Sequence, residues 1–226
     1  MSTLQLIFDG INSWDLCCWD RQYLHQSAQI SSQLSDNVYV VKLGPVAEKP
    51  TSKVVAKIAR GATQVLALEA EYSFYRGRLA HLQGTVIPEC RGFFMGMVDG
   101  EHVRCLLLEH CCPNPKKPAT DPEEFHRRLM VGICKIHQAG VQHTNLLRQT
   151  HIAVHSDGSP RILDFSLATQ HQCDNMIPAD SNGRLRPGRC CPELTQLELF
   201  YGLKSGEPPK FQAPRLSVIN RSTNWR

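Results

Sequence analysis

The segment from Asp121 to Phe165 constrains the architecture most, because it is densely punctuated and each mark has a physical reading. Asp121 is placed to cap a helix, Pro122 takes the first helical position, where no backbone N–H is needed, and Glu124 completes an Asp-x-x-Glu box. Phe125, Leu129, Ile133 and Ile136 recur at helical spacing, so one face of that helix is apolar and must be covered. Gly140 closes the helix. Beyond a polar loop, Ile152-Ala153-Val154 and Arg161-Ile162-Leu163 flank Asp157-Gly158, a strong short-range hairpin signal. The polar groups of the loop therefore stand between two apolar elements, a helix and a hairpin, and the segment calls for an α+β domain.

The rest of the chain can fill such a domain: 42% of its 226 residues are hydrophobic, which excludes a disordered or low-complexity protein. Lys and Arg exceed Asp and Glu by only 25 − 21 = 4, without a long basic run, so no nucleic-acid partner is indicated. MSTLQLIFDG lacks the basic and apolar regions of a secretory signal, and no apolar run approaches the ~18 residues of a membrane span. Ten cysteines without a secretory signal read as reduced thiols in an intracellular protein, cytoplasmic or nuclear. The adjacent pairs Cys17-Cys18, Cys111-Cys112 and Cys190-Cys191 lack Cys-x-x-Cys spacing, and adjacent thiols chelate one ion poorly, so they predict no zinc site.

Toward the N-terminus, residues 1–36 carry only short apolar pieces, Leu4 to Phe8 and Trp14 to Trp19, and are read as an extension. Asn37 to Gly44 and the β-branched run Lys53 to Ala59 predict strands, and Thr63 to Leu82 predicts a helix carrying Glu69 and Glu71. Gly92 to Met97 and Val103 to Glu109 predict a further pair of strands turned by Asp99-Gly100. A short helix is expected from Pro192 to about Leu203, then a mobile tail over 204–226.

Taken in order, these residues resemble a protein kinase, in particular the small, divergent kinase-like domains common in fungi. Val54-Val55-Ala56-Lys57 matches the strand whose Lys holds the nucleotide phosphates and pairs with a helix Glu, here Glu71, with Glu69 the neighbouring alternative. Leu108 falls beside the adenine pocket, and Glu109 to Cys111 falls on the hinge whose backbone bonds the adenine edge. His143-Thr144-Asn145 opens the catalytic loop, Asp164-Phe165-Ser166 matches the metal-binding Asp-Phe-Gly, and Cys191-Pro192-Glu193 matches the Ala-Pro-Glu that ends the activation segment. The resemblance covers about residues 37–203. It implies a protein-kinase-like two-lobe fold, with a small antiparallel β lobe and one helix over 37–109 and a shortened helical lobe over 110–203.

The chemistry departs from the family. Asn145 stands at the catalytic Asp's position, and His151 takes the place of the metal-binding Asn, with Thr150 and Gln149 as adjacent registers. Asp164 alone remains of the trio. The Gly-rich phosphate clamp is replaced by KLGPVAEKPTSK, where Gly44 is alone and Pro45 removes a donor. The resemblance thus implies a pseudokinase or scaffold for a protein partner, with weak or no ATP binding and Mg²⁺ or Mn²⁺ held at Asp164 and His151. The alternative is an active ATP-dependent phosphotransferase, a protein kinase or an aminoglycoside-kinase-like small-molecule kinase, with atypical catalytic residues Asn145, His143 and Asp164. A third reading has the motifs fall by coincidence in an unrelated α+β domain.

Overall fold

In the computed structural model, residues 1–9, 12–18, 24–111, 121–173 and 191–201 are described. The expectations for the tail over 204–226 and for the polar stretch 174–190 lie outside the described residues. The chain divides into two units: the first takes Met1–Tyr72 and Glu89–His110, the second Ser73–Pro88 and the described residues from Cys111 onward.

The first unit is a closed barrel. Its strands are β1 (Ser2–Ile7), β2 (Ser13–Cys18), β3 (His25–Ser35), β4 (Val38–Pro45), β5 (Ser52–Arg60), β6 (Cys90–Val98) and β7 (Glu101–Glu109). They neighbour one another in the order β1-β2-β6-β7-β5-β4-β3, and β3 returns to β1. Every pairing is antiparallel except that seam, where Thr3 faces His25 and Ile7 faces Gln29 in parallel. Alternation places Leu4 and Leu6, Val41 and Leu43, Val54, Ala56 and Ile58, and Val103, Cys105 and Leu107 in one buried cluster. Tight turns set the register: Asp99 and Gly100, both at positive φ (50° and 79°), form the two-residue link between Val98 and Glu101.

This barrel overturns the expectation of a protein-kinase-like two-lobe fold with a small antiparallel lobe. Residues 1–36, read as an extension, supply β1, β2 and all of β3. In β1 the residues alternate buried and half-buried, with Leu4 and Leu6 fully covered. Closing the sheet through them satisfies backbone groups that an open sheet would leave at its edges.

Helix α1 (Ala62–Arg76) follows β5, and the boundary between the units falls inside it. Val65, Leu68 and Glu71 are buried at helical spacing, and Tyr72 stacks on Phe93 of β6 with ring centroids 4.2 Å apart. The helix thus covers the outer face of the barrel, the face of Lys57, Leu106 and Arg104.

The second unit is built on α2 (Pro122–Gln138). The Asp121 side chain accepts from the Glu123 N–H and Pro122 begins the helix as expected, while the Glu124 carboxylate lies on the guanidinium groups of Arg127 and Arg128. Phe125, Leu129, Ile133 and Ile136 are buried, and Gly140 just past the end has φ 76°, a left-handed value that suits glycine. Two small antiparallel sheets follow: β8 (Val141–Gln142) with β11 (Thr169–Gln170), and β9 (Ile152–Val154) with β10 (Pro160–Ile162). Helix α3 (Pro192–Tyr201) packs against α2 and buries Leu194, Leu197 and Tyr201. Among the described residues no helix is long and apolar enough to cross a membrane.

Candidate functional site

In the first unit, Lys57 on the outer face of β5 meets Glu71 of α1, Nζ to Oε2 at 2.6 Å. The Glu71 side chain is 1% exposed and that of Lys57 18%. Of the two carboxylates considered from sequence, Glu71 takes Lys57, and Glu69 receives the Arg104 guanidinium at 2.7 Å. Alternation explains the choice: Lys57 sits opposite Leu106 and Ala59 opposite Arg104, so the two cations occupy neighbouring rungs of one face, and α1 sets its carboxylates two residues apart above them.

Leu108 lies on the same outer face, opposite Val55, and is buried. Glu109, expected from sequence to lie on a hinge, instead pairs with Glu89: its N–H donates to the Glu89 carbonyl at 2.8 Å and its carboxylate accepts from the Glu89 N–H at 3.2 Å. Gly44 lies in β4, where a Cβ would stand 2.7 Å from the Pro50 Cα. That close approach of Pro50 accounts for the glycine without a phosphate.

In the second unit the loop after β8 gathers the remaining candidates, apart from Cys111, which is buried there. His143 is buried, and its Nε2–H donates to the Leu163 carbonyl at 2.8 Å, while its Nδ1 accepts from the Asn145 N–H at 3.4 Å. That tautomer leaves the ring with both nitrogens in use, a brace for the loop. Burial holds His143 below the ordinary imidazole range, against the opposing pull of the Leu163 carbonyl. Its ring also meets Phe165 edge to face, with centroids 5.0 Å apart.

Asp164 adopts positive φ, 67°, and its Oδ1 accepts from the Ser166 N–H at 3.3 Å. His151 turns its Nε2 toward Asp164 Oδ2 at 3.5 Å. The two residues expected to hold a metal therefore face each other, the carboxylate one-third exposed. Thr144, at φ 67°, is held from two sides: its N–H donates to Glu193 Oε1 at 2.6 Å and its hydroxyl to the Leu167 carbonyl at 2.9 Å.

Glu193 organises this loop. Beyond Thr144 it accepts from the His143 N–H at 3.3 Å and from His137 Nε2 at 2.8 Å. Burial pushes its carboxyl up, but the hydrogen bonds from His137 and from the Thr144 N–H prevail and hold it below the ordinary range.

His137 leads to a group that the sequence reading passed over. The side chains of His137, His171, Cys173 and Cys191 bring one nitrogen or sulfur each to within 4.8 Å of one another. Cys191 Sγ lies 3.4 Å from His171 Nε2 and 3.8 Å from His137 Nδ1. The available signal was His171-x-Cys173, two ligand types on alternate residues, together with a histidine on the apolar face of a well-capped helix. Cys191 also belongs to the adjacent pair Cys190-Cys191, whose spacing gives no zinc signal, and Cys190 lies outside the described residues.

Comparison with protein-family models and with curated proteins finds no match.

Proposed function

We propose that this protein is a binding or scaffolding protein for a protein partner that keeps the form of a phosphotransfer loop without its catalytic base, with weak or no ATP binding. The resemblance to kinases enters through the loop residues, not through the architecture. The observation that carries the reading is the loop itself. Asn145 presents a neutral amide where the resemblance places the proton-accepting carboxylate, on a backbone braced by His143 and Glu193. An amide cannot take the proton of an attacking hydroxyl, which removes roughly 10² to 10⁴ of rate.

The metal position is weakened in the same sense. Asp164 is a hard oxygen ligand suited to Mg²⁺ or Mn²⁺, but the group facing it is the His151 imidazole, a poor ligand for such ions. The Glu109 N–H, which the resemblance assigns to the adenine edge, already serves the Glu89 carbonyl. An intracellular location accords with thiols such as Cys90 and Cys105, which burial pushes up to about 11 and about 12, where they are inert.

One observation favours the alternative, an active phosphotransferase: Lys57 is paired with Glu71, whose carboxylate is buried. Assays of phosphotransfer to protein and small-molecule acceptors, with Mg²⁺ or Mn²⁺, separate the two. The binding reading expects no turnover by the unmodified chain and a thermal shift with ATP only at high concentration, lost in Lys57→Ala. Robust turnover abolished by Asp164→Ala would overturn it.

A further inference from the structure

We propose that His137, His171, Cys173 and Cys191 form a structural zinc site, with Glu193 as the hydrogen-bonding partner that fixes the first of these ligands. The inference stands on the second unit alone and is independent of any phosphotransfer reading.

The donor set is the first argument. Two thiolates and two imidazoles are the ligands of a closed four-coordinate zinc site, and a tetrahedral S₂N₂ set favours zinc over the hard cations. Zn–S bonds of about 2.3 Å and Zn–N bonds of about 2.0–2.1 Å imply ligand-to-ligand edges of roughly 3.3–3.8 Å. The two Cys191 distances, 3.4 Å to His171 Nε2 and 3.8 Å to His137 Nδ1, are such edges. The full group, within 4.8 Å, needs a contraction of only about 1 Å to close on an ion, a rotamer-scale adjustment.

The tautomer of His137 is the second argument. Its Nε2 is bonded to the Glu193 carboxylate at 2.8 Å, which puts the proton on Nε2 and turns the Nδ1 lone pair toward Cys191. A carboxylate behind a histidine is the usual outer partner of a metal-bound imidazole, orienting the ring and raising its basicity. Cys173 and Cys191 are 2% and 4% exposed, buried as the ligands of a closed structural site are.

The fold delivers the four residues from separate elements by specific backbone bonds. His137 sits in the last turn of α2, and the His171 N–H donates to the carbonyl of Gly140, just beyond that helix. The pairing of Gln170 with Val141 brings the end of β11 to the same place, so Cys173 follows two residues after His171. Cys191 precedes α3 and its carbonyl caps that helix by accepting from the Thr195 N–H. A cleft of about 370 Å³, lined by Arg78, His137, Gly140, His171 and Cys173 among others, reaches the cluster and gives an ion a way in. The ion would tie α2, the segment after β11 and α3 into one unit.

The test is metal analysis of the full chain purified without chelator, followed by cobalt titration of the metal-free protein. The expected result is one zinc per chain, removed by chelation together with exposure of two thiols to alkylation. Cys173→Ser and Cys191→Ser should lose the zinc, and Cys17→Ser, on β2 of the barrel, should keep it. Glu193→Gln should weaken zinc binding about 10- to 100-fold while leaving the ion tetrahedral. Should the ligand variants fail to fold, cobalt decides on the unmodified sequence, where thiolate charge-transfer and tetrahedral ligand-field bands saturating at one ion support the site. Absence of both zinc and a cobalt spectrum, zinc retained in the double variant Cys173→Ser/Cys191→Ser, or a Cys173–Cys191 disulfide in the freshly purified chain would overturn it.

Discussion

Replacing Lys57 by Met is the sharpest test of how α1 is held on the barrel. Lys57 Nζ and Glu71 Oε2 are 2.6 Å apart, so the gross attraction at an effective dielectric of 20 is about 6 kcal/mol, most of which is offset by desolvating the two groups. The consequence depends on which partner remains. The Glu71 side chain is 1% exposed, and Lys57→Met withdraws the ammonium 2.6 Å from its carboxylate in a site water barely reaches, a loss of about 3–5 kcal/mol. The Lys57 side chain is 18% exposed, and its long stem can carry the ammonium to solvent. Glu71→Leu should therefore cost less, about 1–2 kcal/mol. The double variant Lys57→Met/Glu71→Leu removes both charges and should lie within about 1 kcal/mol of the unmodified protein. Urea unfolding of the four proteins, followed by the fluorescence of Trp14 in β2 and by circular dichroism, gives the complete cycle. A Lys57→Met loss below about 1 kcal/mol, or a double variant that costs the sum of the single losses, would refute the buried-pair account.

Deleting residues 1–36 removes Leu4, Leu6 and Leu16, each no more than 2% exposed, and with them about 5–9 kcal/mol of burial, a sum comparable to the stability of a whole domain. The truncated chain should be insoluble or unfolded, and a soluble, cooperatively folding 37–226 fragment would show that the barrel need not close. Asn145→Asp should raise any trace phosphotransfer by roughly 10² or more, and no gain with folding confirmed would place the main deficiency elsewhere than at the missing base. Burial lowers the affinity of His143 and of His126 for protons in the folded state, so the unfolded chain binds more protons just below the ordinary value of 6.5. Stability should be at its full value above pH 6.5 and fall as pH drops through that point. His143→Gln should flatten the slope, and an unchanged melting temperature from pH 7.5 to 5.5 in the unmodified protein would contradict the assignment.

Strands β4 to β7, α2 and the hairpin of β9 and β10 were legible because each has a local cause: β-branched runs, a cap with proline, and turn residues at Asp99-Gly100 and Asp157-Gly158, the second inside a five-residue connection from His155 to Ser159. The barrel was not, and the reason lies in β1 and β3. Ser2-Thr3-Leu4-Gln5-Leu6-Ile7 does alternate, but over six residues, and β3 (HQSAQISSQLS) is mostly polar and carries two register shifts against β4. A polar strand is recruited by pairing on both sides, with β1 in parallel and β4 antiparallel, and that partner choice is set at distances along the chain that no local pattern records. The seam between β1 and β3 turns what reads as an open sheet into a closed one.

The site shows the same division between local and distant causes, and Glu193 carries it. In sequence it is one letter of a tripeptide before a short helix. In the structure its two carboxylate oxygens hold the backbone N–H groups of His143 and Thr144 and the Nε2 of His137, while His137 turns its other nitrogen to Cys191. The loop that presents Asn145 is therefore shaped by a buried carboxylate from α3, and not by the Asn145 side chain. A shape fixed from behind survives loss of the group in front. A substitution at position 145 therefore leaves the positive φ of Thr144, the His143 brace and the backbone path to Asp164 in place. Under the function proposed above, chemistry and form are separable because different residues hold them: Asn145 stands at the position where the base is expected, and Glu193 and His143 hold the backbone.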